Sequence, residues 1–311
     1  MSKLVIGGTG FIGSHLCKRL LDQGHKVICM DNNVTGSLRN VRELRVNKNF
    51  FFIRHDIVFP LPDLTPYIDE IYHLACPASP KAYQADSIKT LKSNFIGTMN
   101  VLEFAKSIGA RVLLTSTSEV YGDPKVSPQP ETYWGNVNCY GPRSCYDEGK
   151  RVAETLMLEY ERTRGVSIRI ARIFNTYGPH MAKNDGRVVS NFINQCLEGK
   201  EITIYGDGKQ TRSFCYVSDT VEGLILLMKS DKNDGPTNIG NPYEITIKNL
   251  SFYVKELTKS KSKIVYEGLP QDDPKRRKPD IRKANKNLNW HPKVPLLNGL
   301  DKTIMYFDSL E

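Results

Sequence analysis

Short apolar runs alternate with amphipathic stretches through the first half of the chain. Leu4-Val5-Ile6 runs into glycines and then into apolar residues at Phe11, Ile12, Leu16, Leu20 and Leu21. That order predicts a buried strand, a tight turn and a helix. Val27-Ile28-Cys29-Met30 reads as a second buried strand, and further strands are expected at 50–54, 70–75, 111–116 and 167–172. Helical spacing covers about 89–108 and 146–164. Strands alternating with helices in this way predict an α/β architecture, a doubly wound parallel sheet. Beyond residue 175 turn signals crowd together, as in Tyr177-Gly178-Pro179 and Tyr205-Gly206-Asp207-Gly208. Helical stretches at about 186–198, 217–229 and 246–259 are separated there by short strands. The expected division is a large domain over 1–175 and a smaller C-terminal α/β lobe over 176–311, with segments crossing between them.

Composition narrows the class. Forty per cent hydrophobic and 25 per cent charged residues in 311 are ordinary for a globular chain. No apolar run approaches the length of a membrane span, and the first strand begins within three or four residues. Seven scattered cysteines without a C-x-x-C favour neither a metal site nor a disulfide framework. A reducing, cytoplasmic location is therefore expected. The net charge of +9 is spread along the chain, and its densest cluster, Lys275–Lys278, has no interleaved aromatics, so no nucleic-acid partner is expected. A positive field suits a polyanionic nucleotide ligand instead.

Two constellations carry chemistry. Gly8-Thr9-Gly10-Phe11-Ile12-Gly13 fits G-x-G-x-x-G, and Gly7, Gly10 and Gly13 fit G-x-x-G-x-x-G. Between a strand and a helix this pattern brings backbone amides and a helix N-terminus onto a pyrophosphate. Asp31, at the end of the second strand, suits an adenosine ribose and would repel the extra phosphate of NADP, which gives a Rossmann-type start that prefers NAD. Asn32, Asn33, Thr35 and Gly36 are expected along the same edge, Asp56 and Ile57 near adenine, and Leu74, Ala75 and Cys76 past the fourth strand. The second constellation is Tyr146-Asp147-Glu148-Gly149-Lys150, with Tyr146 and Lys150 one helical turn apart. A lysine beside a phenol is expected to lower its pKa towards a useful base, and a hydroxyl at the end of the preceding strand can share the proton.

With Tyr72–Ala75 and Pro77–Pro80, Ser116–Pro124, Cys145–Glu154, Ala171–Thr176, Asn184–Phe192, Asp272-Asp273-Pro274 and Arg277–Asp280, the chain resembles the extended short-chain dehydrogenase/reductase family over essentially its whole length. Within that family it is similar to the UDP-glucuronate decarboxylases. The resemblance implies that Tyr146, with Lys150 and Thr117, takes the C4 hydroxyl proton of UDP-glucuronate as hydride passes to NAD. The 4-ketone then lies β to the C5 carboxylate, CO2 leaves, C5 is protonated, and hydride returns to give UDP-xylose. It further implies that Ser118 bonds the carboxylate, that Glu119 repels it or relays a proton, and that Arg277 helps deliver the C5 proton. UDP binding falls by resemblance to Asn175, Arg187, Val188, Asn191, Tyr205, Gln210 and Arg212, with Arg277 sharing a pyrophosphate clamp with Arg212. Pro77, Ser79 and Tyr83 border the sugar, and Lys92 faces sugar or cofactor. Family members are commonly homodimers, here through the helices at about 89–108 and 146–164. Thr9 and Cys76 depart from the usual alanine and serine, and 62–66 is expected as a surface loop. A UDP-apiose/xylose synthase, a glucuronate 4-epimerase or an enzyme releasing the 4-keto pentose would share nearly every motif. An NAD-binding sensor or RNA scaffold would not need the Tyr146, Lys150 and Thr117 trio.

Overall fold

The computed structural model describes residues 2–64, 68–232, 234–269 and 276–310. In chain order the first half contains β1 (Ser2–Ile6), α1 (Phe11–Asp22), β2 (Lys26–Asp31), β3 (Phe50–Arg54), β4 (Ile68–His73), α2 (Pro80–Ala85), α3 (Ser87–Lys92), α4 (Thr98–Ile108), β5 (Arg111–Thr117), α5 (Ser144–Arg164) and β6 (Ile168–Ile173). The second half contains β7 (Thr176–Tyr177), α6 (Val188–Leu197), β8 (Ile202–Tyr205), β9 (Thr211–Ser213), β10 (Cys215–Tyr216), α7 (Val217–Lys229), β11 (Thr237–Ile239), β12 (Glu244–Thr246), α8 (Ile247–Leu257), β13 (Ile264–Glu267), β14 (Arg276–Arg277), α9 (Arg282–Leu288) and α10 (Leu296–Asp308).

Seven parallel strands form the main sheet in the order β11-β6-β5-β4-β1-β2-β3. The strands read as unbroken apolar runs because both faces are covered. Val5, Val27, Cys29 and Leu113 enter one core cluster, with α1 and α7. Their neighbours Leu4, Ile6, Ile28, Met30, Val112 and Leu114 enter the other, with α4 and α5. Each fully buried aliphatic side chain contributes roughly 1.5–3 kcal/mol to this arrangement. Strand order reverses between β1 and β4, so a crevice opens at their carboxyl ends.

The expected strands and the doubly wound sheet are present. The predicted helix at 89–108 is broken into α3, a wide π-type turn at Ser93–Gly97, and α4. At Gly97 a Cβ would meet Ile57 Cδ1 at 2.4 Å, a close packing that periodicity does not register. The chain after 176 divides its loyalties. β11 pairs with β6 in the main sheet, whereas β8 pairs with β13 and β9 lies between β12 and β14 in two small sheets. Short strands separate the helices as expected; α9 and α10 are not among the expected helices, although Leu300, Ile304 and Phe307 of α10 keep helical spacing and are buried. Pro62 and Asp63 are exposed as expected of a surface loop, while Thr65 and Pro66 lie outside the described residues.

Candidate active site

The crevice is a cleft of about 940 Å³ between the sheet's carboxyl edge and the small sheets. Its floor is the glycine turn. Gly7 has φ +81°, the left-handed region where a Cβ is strained, and its amide bonds Met30 O at 2.8 Å. A Cβ on Gly13 would lie 2.1 Å from Gly7 O, so only glycine lets α1 start against the turn. No side chain caps α1, which leaves its first-turn amides facing the cleft. Asp31 lines the same cleft, its Oδ2 accepting from Thr9 N (3.0 Å) and its Oδ1 from Asn33 N (2.8 Å). Asn32 donates to Asp56 Oδ2 at 3.0 Å. Ile57, Leu74, Ala75, Cys76 and Thr35 also line the cleft, whereas Asn33 and Gly36 do not. Asn33 accepts from Thr9 Oγ1 at 2.9 Å and Gly36 packs on Thr9, so these two brace the turn.

The α5 helix starts at Ser144 and turns Tyr146 and Lys150 into the cleft beside the end of β5. Tyr146 is bonded to Thr117 and stacks on Tyr83, with ring centroids 4.9 Å apart and ring planes nearly parallel. The phenol's pKa is raised overall, not lowered as the spacing suggested. Burial pushes Tyr146 up, the Cys76 thiol adds to the rise, and the Thr117 bond only opposes it. Lys150 donates to Thr115 O at 2.9 Å, and burial pulls its own pKa down. Phenol and ammonium are thus both buried at the cleft, one helical turn apart.

Beside it stands a compact ionic group. Arg277, on β14, donates from Nη1 to Ser118 Oγ (3.0 Å) and Glu119 Oε1 (2.7 Å). Its Nη2 donates to Glu119 Oε2 (2.9 Å) and Gly122 O (3.1 Å). Arg143 pairs with the same Glu119 Oε2. Burial favours the neutral acid, but the Arg277 and Arg143 guanidinium groups outweigh it and hold Glu119 at about 2. Electrostatic repulsion by Glu119 is therefore muted, because two cations face its one charge. Arg277 thus directs its guanidinium to Ser118, Glu119 and Gly122 O in this structure, while the resemblance also gives it a share of a phosphate clamp with Arg212. The two are nonetheless register partners across β9 and β14. Arg143 was not singled out by any motif, although its place three residues before Tyr146, on one helix face, was a usable signal.

On the opposite wall Asn175, Arg187, Val188, Asn191, Tyr205, Gln210 and Arg212 line the cleft, as do Pro77, Ser79 and Tyr83. Arg187 pairs with Asp185 and lies 5.9 Å over the Phe11 ring, bridging the small lobe to the glycine turn. Gln210 donates to Tyr205 O at 2.6 Å, fixing the end of β8. Lys92 is the exception: it is exposed and does not line the cleft, where Lys89 and Ser93 stand instead. One helical residue of register separates it from the cleft face. Asp272-Asp273-Pro274 lies outside the described residues.

The comparisons with known proteins fit this site. A sequence family described as GDP-mannose 4,6 dehydratase matches residues 4–303. UDP-glucuronic acid 4-epimerase from Bacillus cereus, solved with UDP-glucuronic acid and NAD, superimposes with a TM-score of 0.91 at 30% identity, covering 100% of both chains. UDP-glucose 4-epimerase from Thermotoga maritima does so with a TM-score of 0.91 at 31% identity, again over 100% of both. The chain belongs to the extended short-chain dehydrogenase/reductase family. Its curated relatives narrow the branch to the UDP-glucuronate decarboxylases. UDP-glucuronic acid decarboxylase 6 of Arabidopsis thaliana is 58% identical over 96% of this chain and 87% of its own, and UDP-glucuronic acid decarboxylase 1 of Xenopus tropicalis is 56% identical over 98% and 71%.

Proposed function

We propose that this chain decarboxylates UDP-glucuronate to UDP-xylose and CO2, using NAD that is regenerated in every cycle. The observation that carries the reading is the meeting of Tyr146, Lys150 and Thr117 with the Ser118, Glu119 and Arg277 group in one cleft. The cradle fits a dinucleotide, since the side-chain-free turn and the uncapped α1 N-terminus leave room and amide donors for a pyrophosphate. Gly7, Gly10, Phe11, Ile12 and Gly13 would hold that pyrophosphate, Asp31 the ribose, Asn32, Asp56 and Ile57 the adenine side. Leu74, Ala75, Cys76 and Lys150 would border the nicotinamide. When bound, NAD supplies a hydride acceptor for C4 of the sugar and gives the hydride back.

Tyr146 accepts the C4 hydroxyl proton and later returns it, with Thr117 sharing the bond and the buried Lys150 stabilising the phenolate while it exists. Once C4 is a ketone, the C5–CO2 bond breaks and its electron pair enters the enolate. Ser118 holds the carboxylate by a hydrogen bond, and Arg277, anchored on Glu119, borders C5 where the incoming proton arrives. Arg187 and Arg212 meet the UDP phosphates, Tyr205 and Gln210 the uracil side, and Asn175, Val188 and Asn191 the nucleotide wall. The large domain is assigned to 1–175 and the UDP-sugar lobe mainly to 176–311, with β11 crossing back.

A homodimer belongs to the same reading. Ile88 (66% exposed), Leu91 (42%) and Phe95 (46%) lie along α3 and the turn after it, and Leu158 (42%) lies on the neighbouring α5, an apolar strip suited to a second copy. A cytoplasmic location is supported by seven cysteines that are all free thiols. Among the described residues, no helix is long and apolar enough to cross a membrane. Incubation with UDP-glucuronate and catalytic NAD, followed by proton NMR, tests the function. UDP-xylose is the expected product, and accumulation of UDP-galacturonate would replace decarboxylation with epimerisation.

A further inference from the structure

Arg143 occupies the N-cap of α5, three residues before Tyr146, and lines the cleft. Its Nη2 pairs with Glu119 Oε2, the oxygen that also accepts from Arg277 Nη2 at 2.9 Å. Glu119 sits on the turn that follows β5, one residue from Ser118 and two from Thr117. Its carboxylate therefore joins three separate pieces of chain: the end of β5, the small lobe through β14, and the helix that carries the phenol. The Arg143 and Glu119 side chains are each only 15% exposed, and Asp147 Oδ2 stands 3.9 Å behind Arg143 Nε. Charged hydrogen bonds in so dry a place hold their geometry more firmly than exposed ones. Remove Arg143, and Glu119 keeps Arg277 but loses its tie to α5. Tyr146 and the Ser118–Glu119 turn then keep the Tyr146–Thr117, Lys150–Thr115 O and Arg151–Val120 O contacts but lose the charged one nearest the carboxylate, which loosens their separation.

We propose that Arg143 is a positioning residue for the decarboxylation, locking Glu119 to the helix that bears Tyr146 and so fixing the distance between the proton-transfer group and the carboxylate-handling group. It acts through Glu119 and makes no contact with the substrate. This rests on the assignment of Glu119 to the working site given above. A displacement of about 1 Å between reacting groups lowers turnover on the order of 10²-fold. Arg143→Met should therefore lower kcat by about that factor, with KM for UDP-glucuronate within about threefold of the parent. Because the Glu119 contact uses a single nitrogen, Arg143→Lys should recover most of the loss.

A double-mutant cycle with Glu119→Gln separates the possibilities, since independent losses multiply whereas losses through one contact do not. The expected result is that Arg143→Met/Glu119→Gln turns over no more slowly than Glu119→Gln alone. Multiplying losses, or a raised KM at unchanged kcat, would overturn the inference by giving Arg143 its own contact with substrate. A normal Arg143→Met beside an impaired Glu119→Gln would overturn it while leaving Glu119 in the site. A Glu119→Gln enzyme as fast as the parent would remove both. NAD affinity and melting temperature of each variant report folding. If Arg143→Met does not fold, Arg143→Gln and Arg143→Lys carry the same comparison with Glu119→Gln.

Discussion

At the scale of single residues, buried ionisable groups decide what the cleft does. Tyr146→Phe removes the phenol bonded to Thr117, so turnover should fall by a factor on the order of 10³ or more while NAD still binds. Fluorescence titration with NAD checks the second half, and normal turnover would remove Tyr146 from its role. Asp147 behaves differently. Burial and the neighbouring Glu119 charge push its carboxyl up to about 7, and its Oδ1 has no partner. An acid whose pKa is raised on folding binds more protons folded than unfolded, between the unfolded value near 4 and about 7. Its contribution to stability is therefore lost as pH climbs through that window. Asp147→Asn should melt above the parent at pH 8, and the gap should narrow steadily as pH falls towards 4; a constant difference across that range would show that Asp147 does not titrate there.

At the scale of elements, the glycine turn and α1 act as one unit. Gly13→Ala would drive a methyl to 2.1 Å from Gly7 O, so α1 must move away from the turn. The expected cost is about 1–3 kcal/mol of stability together with weakened NAD binding, read by thermal melting and by NAD titration. This unit was legible in the sequence because strand, turn and helix are contiguous, and so was the Tyr146 and Lys150 pair, one turn apart. What was not legible joins distant segments. The Arg277–Glu119 contact spans 158 residues and depends on β14 lying beside β9. The direction of Lys150 is likewise tertiary, because its amine meets a β5 carbonyl as well as the phenol's surroundings. Lys92 was misplaced for a local reason, since α3 gives way to a wide turn at Ser93 and helical spacing says nothing of which face then meets the cleft.

At the scale of the whole molecule, two surfaces matter: the strip on α3 and α5, and the cleft. Phe95→Glu with Leu158→Glu places charges in the proposed dimer contact and should shift the sedimentation coefficient from dimer to monomer. An unchanged coefficient would move the contact elsewhere. The cleft unites a proton-transfer pair from one half of the chain with an arginine from the other, which is what a reaction that begins and ends at C4 but changes C5 requires. The measurement that tests this most directly is turnover of UDP-glucuronate in D2O with catalytic NAD, with the product examined by NMR. The account predicts UDP-xylose carrying one deuterium at C5, the original protium at C4, one equivalent of CO2 and no accumulating NADH. Deuterium at C4, or a 4-keto product formed with stoichiometric NADH, would contradict a hydride that leaves and returns within one closed cycle.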